Sequence, residues 1–315
     1  MLTLRVSYFL TCMFVALSHR VPVTKFAARL FSTRSFGMTT TVTHSLGKSP
    51  SSGIDITIVP MFDDNYGYII VDKATNQAAV VDPADSAPIF SVLQSLPDIE
   101  LKQLWATHKH DDHVGGNVAF KKQYPSLEVI GTGYEHVPEL TQPVKDGDVF
   151  TMGSLSIRVL HVPCHTTGHV AFYVEDDAKE ARVVCTGDTL FVGGVGKFFE
   201  GTAEEMLVNM NRLSALPDDT VVCCAHEYTQ SNLKFLQSID PEICGAIYEE
   251  VVEKRKNGIF TVPTSIGKEK EYNCFIKCND ERIQQLTSKA LGDSSIIGHP
   301  NLVMKALREM KNNFR

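Results

Sequence analysis

The chain has 315 residues, 43% of them hydrophobic and 21% charged, with a net charge of -7. That profile excludes a disordered or fibrous chain and leaves room for a large core and two domains. The acidic balance argues against nucleic acid as a partner, which needs a basic footprint.

Charge is unevenly placed. The first 54 residues hold Arg5, Arg20, Lys25, Arg29, Arg34 and Lys48 and no acid, so 24 basic and 37 acidic residues remain, a net of -13. An Arg-bearing, Ser/Thr-rich, acid-free stretch reads as a mitochondrial transit peptide. Residues 8–17 have the length of a secretory h-region, so secretory or plastid targeting stays open, and Met38 offers an internal start for a cytosolic form. That run is too short to span a bilayer, and no membrane partner is expected. Residues 1–53 are read as targeting leader and linker, the linker being 48–53 (KSPSSG).

Short β-branched runs then predict strands over 54–60, 67–71 and 78–81, the last two joined by a turn over 72–77. A helix is expected over 87–96, a strand over 101–106 and a helix over 117–124. Strands over 155–161, 182–185 and 220–224 follow. Beyond about residue 229 the texture becomes helical, over 232–237, 241–256, 280–290 and 301–314. In the last, Leu302, Val303, Ala306, Leu307, Met310 and Phe314 recur at helical spacing, with Pro300 suited to its first turn. The expected domains are 54–228, an α/β catalytic unit, and 229–315, a helical unit. The cysteines form no C-x-x-C pair and read as buried, reduced thiols.

The strand over 101–106 runs into His108-Lys-His110-Asp111-Asp112-His113. Imidazole and carboxylate are the usual ligands of divalent transition metals, and four of them in the order H-x-H-x-D-H are hard to explain as packing. Three later strands end alike, at His165, Asp188 and His226. Loops at strand ends gather sites on a rigid base. The expected division puts His108, His110 and His165 on one ion and Asp112, His113 and His226 on a second, with Asp188 joining both. Asp111 is read as an exposed carboxylate. His169 is read as a supporting residue, His161 as packed at a strand end, and His136 and His299 as surface or cap residues. His44 falls within the leader.

The stretches 107–117 (THKHDDHVGGN), 163–169 (PCHTTGH), 186–201 (TGDTLFVGGVGKFFEG) and 225–229 (AHEYT) resemble the metallo-β-lactamase superfamily. Within it the chain is similar to glyoxalase II, the hydroxyacylglutathione hydrolases, over about residues 54–315. The resemblance implies a four-layer αββα sandwich with a C-terminal helical, glutathione-binding domain. It also implies two divalent metal ions, zinc foremost with iron or manganese as alternatives, and a monomer. The substrate implied is a small-molecule glutathione thioester, S-D-lactoylglutathione, cleaved to D-lactate and glutathione by a hydroxide held between the metals. That activity belongs to methylglyoxal detoxification. Asp112 and Asp188 match the catalytic carboxylates. Lys197, Phe199, Tyr228, Arg308 and Lys311 match the substrate-binding positions, Phe199 standing where the family often has tyrosine. Replacing Arg308 is expected to raise KM far more than it lowers kcat.

Three rival readings keep the metal chemistry or discard it. A mononuclear iron dioxygenase of the same fold, acting on glutathione persulfide, would use only His108-, His165- and Asp188-type ligands. A nucleic-acid-processing hydrolase is disfavoured by the acidic body, and a non-catalytic metal-binding protein by the intact ligand set.

Overall fold

The computed structural model describes residues 32–36, 39–47, 52–176, 178 and 180–314. Two sheets pack face to face, with helices outside each, as an αββα sandwich. The first sheet runs in sequence order: β1 (Ser32–Phe36), β2 (Thr39–Leu46), β3 (Ile54–Met61), β4 (Asn65–Asp72), β5 (Gln77–Val81), β6 (Glu100–Ala106), β7 (Glu128–Thr132) and β8 (Gln142–Val144). Pairing is antiparallel as far as β5 and parallel from β5 to β8. Parallel neighbours need crossovers. Helix α1 (Ser86–Gln94) supplies one, and α2 (Asp111–Val114) with α3 (Asn117–Gln123) the next.

Alternation along the strands builds the layers. On β3, Ile54, Ile56 and Ile58 face the second sheet, while Val59 and Met61 pack under α1 and α3 with Ile89 and Phe120. On β5 and β6, Ala79, Val81 and Trp105 point inward and Ala78, Val80, Leu104 and Ala106 outward. Both faces are covered, so these strands read as continuous apolar runs.

The second sheet contains β9 (Val149–Met152), β10 (Leu155–His161), β11 (Val170–Glu175) and β12 (Arg182–Gly187). After the small ribbon β13 (Leu190–Phe191) and β14 (Gly194–Val195), helix α4 (Ala203–Ser214) leads to β15 (Val221–Cys224), which pairs parallel to β12. Helices α5 (Thr229–Ile239) and α6 (Gly245–Lys256), strand β16 (Thr264–Ser265), and helices α7 (Ile266–Tyr272), α8 (Glu281–Leu291) and α9 (Pro300–Asn313) complete the chain. Strand β16 joins the second sheet beside β15, giving the order β16-β15-β12-β11-β10-β9. Helix α9 packs on α4 and α8, burying Val303, Met304, Ala306 and Leu307. Pro300 occupies its first turn.

The folded region starts earlier than residue 54. Residues 1–31 and most of the 48–53 linker lie outside the described residues, as does Met38. Ser32–Phe36 and Thr39–Leu46, however, form two strands on the edge of the first sheet, and Val42 pairs with Ile58. The leader reading of 1–53 therefore places the start of the sheet too late, and His44 stands on β2. The stretch Thr39–Leu46 lacks apolar alternation because it is near the sheet edge, but its threonines are β-branched and suit strands. Thr43 and Thr57 meet across β2 and β3 at 2.9 Å. Seven cysteines among the described residues are buried and unpaired, as expected for reduced thiols. No helix among the described residues is long and apolar enough to cross a membrane.

Candidate metal centre

Four strands deliver the ligand-type side chains at their C-terminal ends. Strand β6 is followed by His108, His110, Asp112 and His113; β10 by His165; β12 by Asp188; and β15 by His226. Residues 111–114 form the short helix α2, which turns Asp112 and His113 in a direction different from His108 and His110.

The side chains gather as two sets. His108 Nε2 and His165 Nε2 lie 3.0 and 3.1 Å from His110 Nδ1. Asp112 Oδ2 lies 3.5 Å from His226 Nε2 and 3.9 Å from His113 Nε2. Asp188 stands between the sets. Its Oδ2 is 3.4 Å from His165 Nε2, and its Oδ1 is 3.3 Å from both His113 Nε2 and His226 Nε2. Each set brings its ligand atoms within 4.8 Å of one another.

This donor set fits divalent metal. His113 Nε2 and Asp188 Oδ1 are buried without a hydrogen-bond partner, a costly state that a cation relieves. The outward nitrogens are already anchored. His113 Nδ1 meets Asp82 Oδ2 at 3.0 Å, His226 Nδ1 meets Asp64 Oδ1 at 2.9 Å, and His165 Nδ1 donates to the Lys197 carbonyl at 3.1 Å. Such partners fix the tautomer and aim the other nitrogen at the metal.

The electrostatics agree. Burial, reinforced by the neighbouring imidazoles, drives the His108 pKa well below its ordinary value and keeps the ring neutral. Burial opposes charge on Asp188, yet His113, His226 and His165 together hold its carboxyl well below the usual carboxylate range. Burial likewise opposes a proton on His226, but Asp188 and Asp64 raise its pKa to about 9. Without a cation, Asp188 draws its compensating charge from these imidazoles.

Supporting residues beyond the sequence reading are Asp64, Asn65 and Asp82. Asn65 Nδ2 donates to the Asp112 carbonyl at 2.9 Å. Asp82, at a backbone φ of 48°, accepts from Thr107 N at 2.8 Å as well as facing His113. Asp82 follows β5 directly, so the strand-end pattern that marked the candidate ligands was a signal for it too. Asp64 in Asp63-Asp64-Asn65 carried no comparable signal. His169 is a supporting residue: its Nε2 accepts the Asp188 N–H at 3.0 Å, and its ring stacks on His108 at 4.6 Å. His161 ends β10 and contacts the Thr167 carbonyl at 2.9 Å. Asp111, His136 and His299 are exposed.

A cavity of about 460 Å³ opens beside the cluster, lined on one side by His110, Asp112, His165, Asp188 and His226. Lys197, Phe199, Tyr228, Arg308 and Lys311 line the other side. The Tyr228 ring stacks on His226 at 4.8 Å. Phe199 is exposed, 5.1 Å from the His165 ring, with Lys197 Nζ 5.9 Å above it. Lys311 donates to the Ser231 carbonyl and hydroxyl. Arg308 is only 7% exposed and donates to the Val195 carbonyl at 2.8 Å, leaving Nε unpartnered.

A His/Asp cluster at strand ends between two facing sheets, with helices outside, defines a metal-dependent enzyme of the metallo-β-lactamase fold. Residues 63–226 match the family model for the metallo-beta-lactamase superfamily, and residues 227–314 match that for the hydroxyacylglutathione hydrolase C-terminus. The chain is 38% identical over 262 residues to a cytoplasmic hydroxyacylglutathione hydrolase of Arabidopsis thaliana, covering 82% of this chain and 98% of that protein. To the hydroxyacylglutathione hydrolase of Photobacterium profundum it is 39% identical over 264 residues, covering 83% and 100%. Among solved structures, ETHE1 from Myxococcus xanthus superposes with a TM-score of 0.53 at 25% identity, over 84% of this chain and 97% of that one. A metallo-beta-lactamase from Staphylococcus aureus subsp. aureus COL shares the fold, with a TM-score of 0.55 at 19% identity over 85% and 72%. The chain belongs to the hydroxyacylglutathione hydrolases, the glyoxalase II family of thioester hydrolases within the metallo-β-lactamase superfamily.

Proposed function

We propose that the protein hydrolyses S-2-hydroxyacylglutathione, with S-D-lactoylglutathione as the principal substrate, to a 2-hydroxy acid and glutathione. The observation that carries this is one cavity holding both the His/Asp cluster and cations from the helical region. Among the described residues, neither Arg308 nor Lys311 is paired with a carboxylate. In an acidic protein, unneutralised cations beside a hydrolytic centre suit the carboxylates of the tripeptide.

His108, His110 and His165 would hold one divalent ion and Asp112, His113 and His226 a second, with Asp188 shared. Ions so held supply Lewis acidity, lowering the pKa of water toward about 7 and polarising a carbonyl. His and Asp donors suit zinc, iron or manganese, with zinc the proposed ion. The Asp112 carboxylate reaches the cavity and would orient the attacking water by accepting a hydrogen bond from it. Lys197, Tyr228 and Lys311 position the glutathionyl arm so that the thioester carbon faces the centre. Phe199 packs against that arm without the hydrogen bond a tyrosine would add, worth about 0.5–1.5 kcal/mol. The leaving thiol has an ordinary pKa of about 8.5, so it departs as thiolate without a dedicated acid.

The test is loss of thioester absorbance when purified, metal-loaded protein meets S-D-lactoylglutathione, with elemental analysis in parallel. Rapid turnover with two ions per chain is expected; no turnover with both bound removes the reading. One iron per chain with oxygen consumption on glutathione persulfide would favour the dioxygenase. The C-terminal family match over 227–314 favours the hydrolase. One chain supplies every ligand, which supports action as a monomer. The acid-free leader supports delivery to mitochondria and a role there in methylglyoxal detoxification. Localisation of a fusion carrying residues 1–31, which precede the first described strand, is the check.

A further inference from the structure

We infer that Glu269 is a positioning residue: it fixes the backbone of residues 191–195, and through that loop both the Lys197 side chain and the partner that aims His165. The Lys197 half rests on the thioesterase reading, and the His165 half on the metal centre alone.

Glu269 lies on α7 with no exposed surface. Its carboxylate accepts four hydrogen bonds and, among the described residues, faces no cation. Oε2 accepts from Gly193 N and Asn273 Nδ2, each at 2.9 Å. Oε1 accepts from Thr264 Oγ1 at 2.9 Å and the Tyr272 hydroxyl at 2.7 Å. A buried carboxylate without a counter-charge is costly unless its hydrogen bonds are complete, and the proposed chemistry makes no use of it.

Its use is in the loop. Asn273 Nδ2 also reaches the Phe191 and Gly194 carbonyls at 3.4 and 3.2 Å. Asn232 donates to the Val192 carbonyl at 3.0 Å, and Arg308 to the Val195 carbonyl. Every residue from Phe191 to Val195 thus gives a backbone group to a side chain of the helical region. The loop has little hold of its own, since β13 and β14 are two-residue strands and Gly193 sits at a φ of 68°. The grip is close: a Cβ at Gly194 would meet Asn232 Nδ2 at 2.6 Å.

The loop then enters the metal centre. Gly196 N donates to the Thr189 carbonyl at 3.2 Å, and the next carbonyl, that of Lys197, accepts from His165 Nδ1. A Cβ on Gly196 would overlap the Asp188 carbonyl and lie 3.2 Å from His165 Nδ1. A loop shift of a few tenths of an ångström therefore disturbs a ligand's orientation and the Lys197 side chain together. The four donors require acceptors at Glu269. Glutamine can still serve, with its amide oxygen toward Gly193 and Asn273 and its NH₂ toward hydroxyl oxygens that can accept.

The test uses the full chain, with cobalt(II) titration reading the metal centre and calorimetry with glutathione reading the loop. Glu269→Ala should weaken cobalt binding about tenfold, as loss of a ligand's outer support does, and glutathione binding about fivefold. Glu269→Gln should restore both. Tyr272→Phe removes a partner of Oε1 only, so it should lower Tm and leave both affinities unchanged. Where Glu269→Ala does not fold, Asn273→Ala carries the same expectation. Folded variants with unchanged affinities, or Tyr272→Phe matching Glu269→Ala, overturn the proposal. So does recovery of both alanine variants only as unfolded chain, which makes the carboxylate a folding element. If the wild-type chain ignores glutathione while the cobalt effect holds, the Lys197 half and the thioesterase reading fail and the His165 half stands.

Discussion

Asp188 is where the centre is most exposed to a single change. Its two oxygens face different ligand sets, so Asp188→Asn should lower the affinity for both ions, seen as a metal content falling below one per chain after dialysis. The imidazoles make metal uptake proton-linked. In the metal-free protein the Asp188 and Asp64 contacts outweigh burial and hold a proton on His226 to about pH 9. Its folded pKa is raised, so this contribution to stability is fully present below pH ~6.5 and lost as pH rises through about 9. Asp188 is depressed, so its contribution is present above pH ~4 and lost as pH falls further. Calorimetry of the stripped protein should therefore show Tm declining from pH ~6.5 to about 9. Metal must displace the His226 proton, so chelator competition should show affinity falling from pH 8 to pH 6, at about a factor of ten per displaced proton per pH unit. Arg308 and Lys311 divide differently from the sequence reading. Lys311 is half-buried at the cavity wall, and burial together with the Arg308 and Lys234 charges pulls its pKa down to about 8. Lys311→Ala should raise KM about tenfold with little change in Tm. Arg308→Ala should raise KM and also strand the buried Val195 carbonyl, costing about 1–3 kcal/mol.

Among the elements, α9 has both a core face and a site face. Val303, Met304 and Leu307 are fully buried, while Arg308 and Lys311 line the cavity. Leu307→Ala should cost about 2–5 kcal/mol by leaving a cavity, measured as a lower urea midpoint with an unchanged slope. The helical spacing of α9 was legible because one of its faces is wet. Strands β7 and β11 were not, since almost every residue is buried and no alternation survives. Helix α4 carried an unread signal: Thr202 and Glu205 form a complete capping box. Helix α7 is seven residues long, too short for periodicity to declare itself.

Across the whole molecule, an ion that binds only the folded chain raises its stability by mass action. Chelation should therefore lower Tm, and excess zinc should restore it. The candidate ligands were legible in sequence because each group follows a strand, where apolar residues give way to His or Asp. Family membership followed from four short stretches around those positions. What sequence could not decide was which distant groups hold the ligands. Asp64 anchors His226, Asp82 anchors His113, the Lys197 carbonyl anchors His165, and Glu269 holds the loop in between. These partners lie tens of residues or more from the groups they hold, and their pairing depends on how two sheets and a helical region pack. Local periodicity records whether a residue faces core or solvent. It carries no record of which loop meets which across the top of the sandwich, so the sequence picked out the candidate ligands and only the tertiary structure decided what aims them.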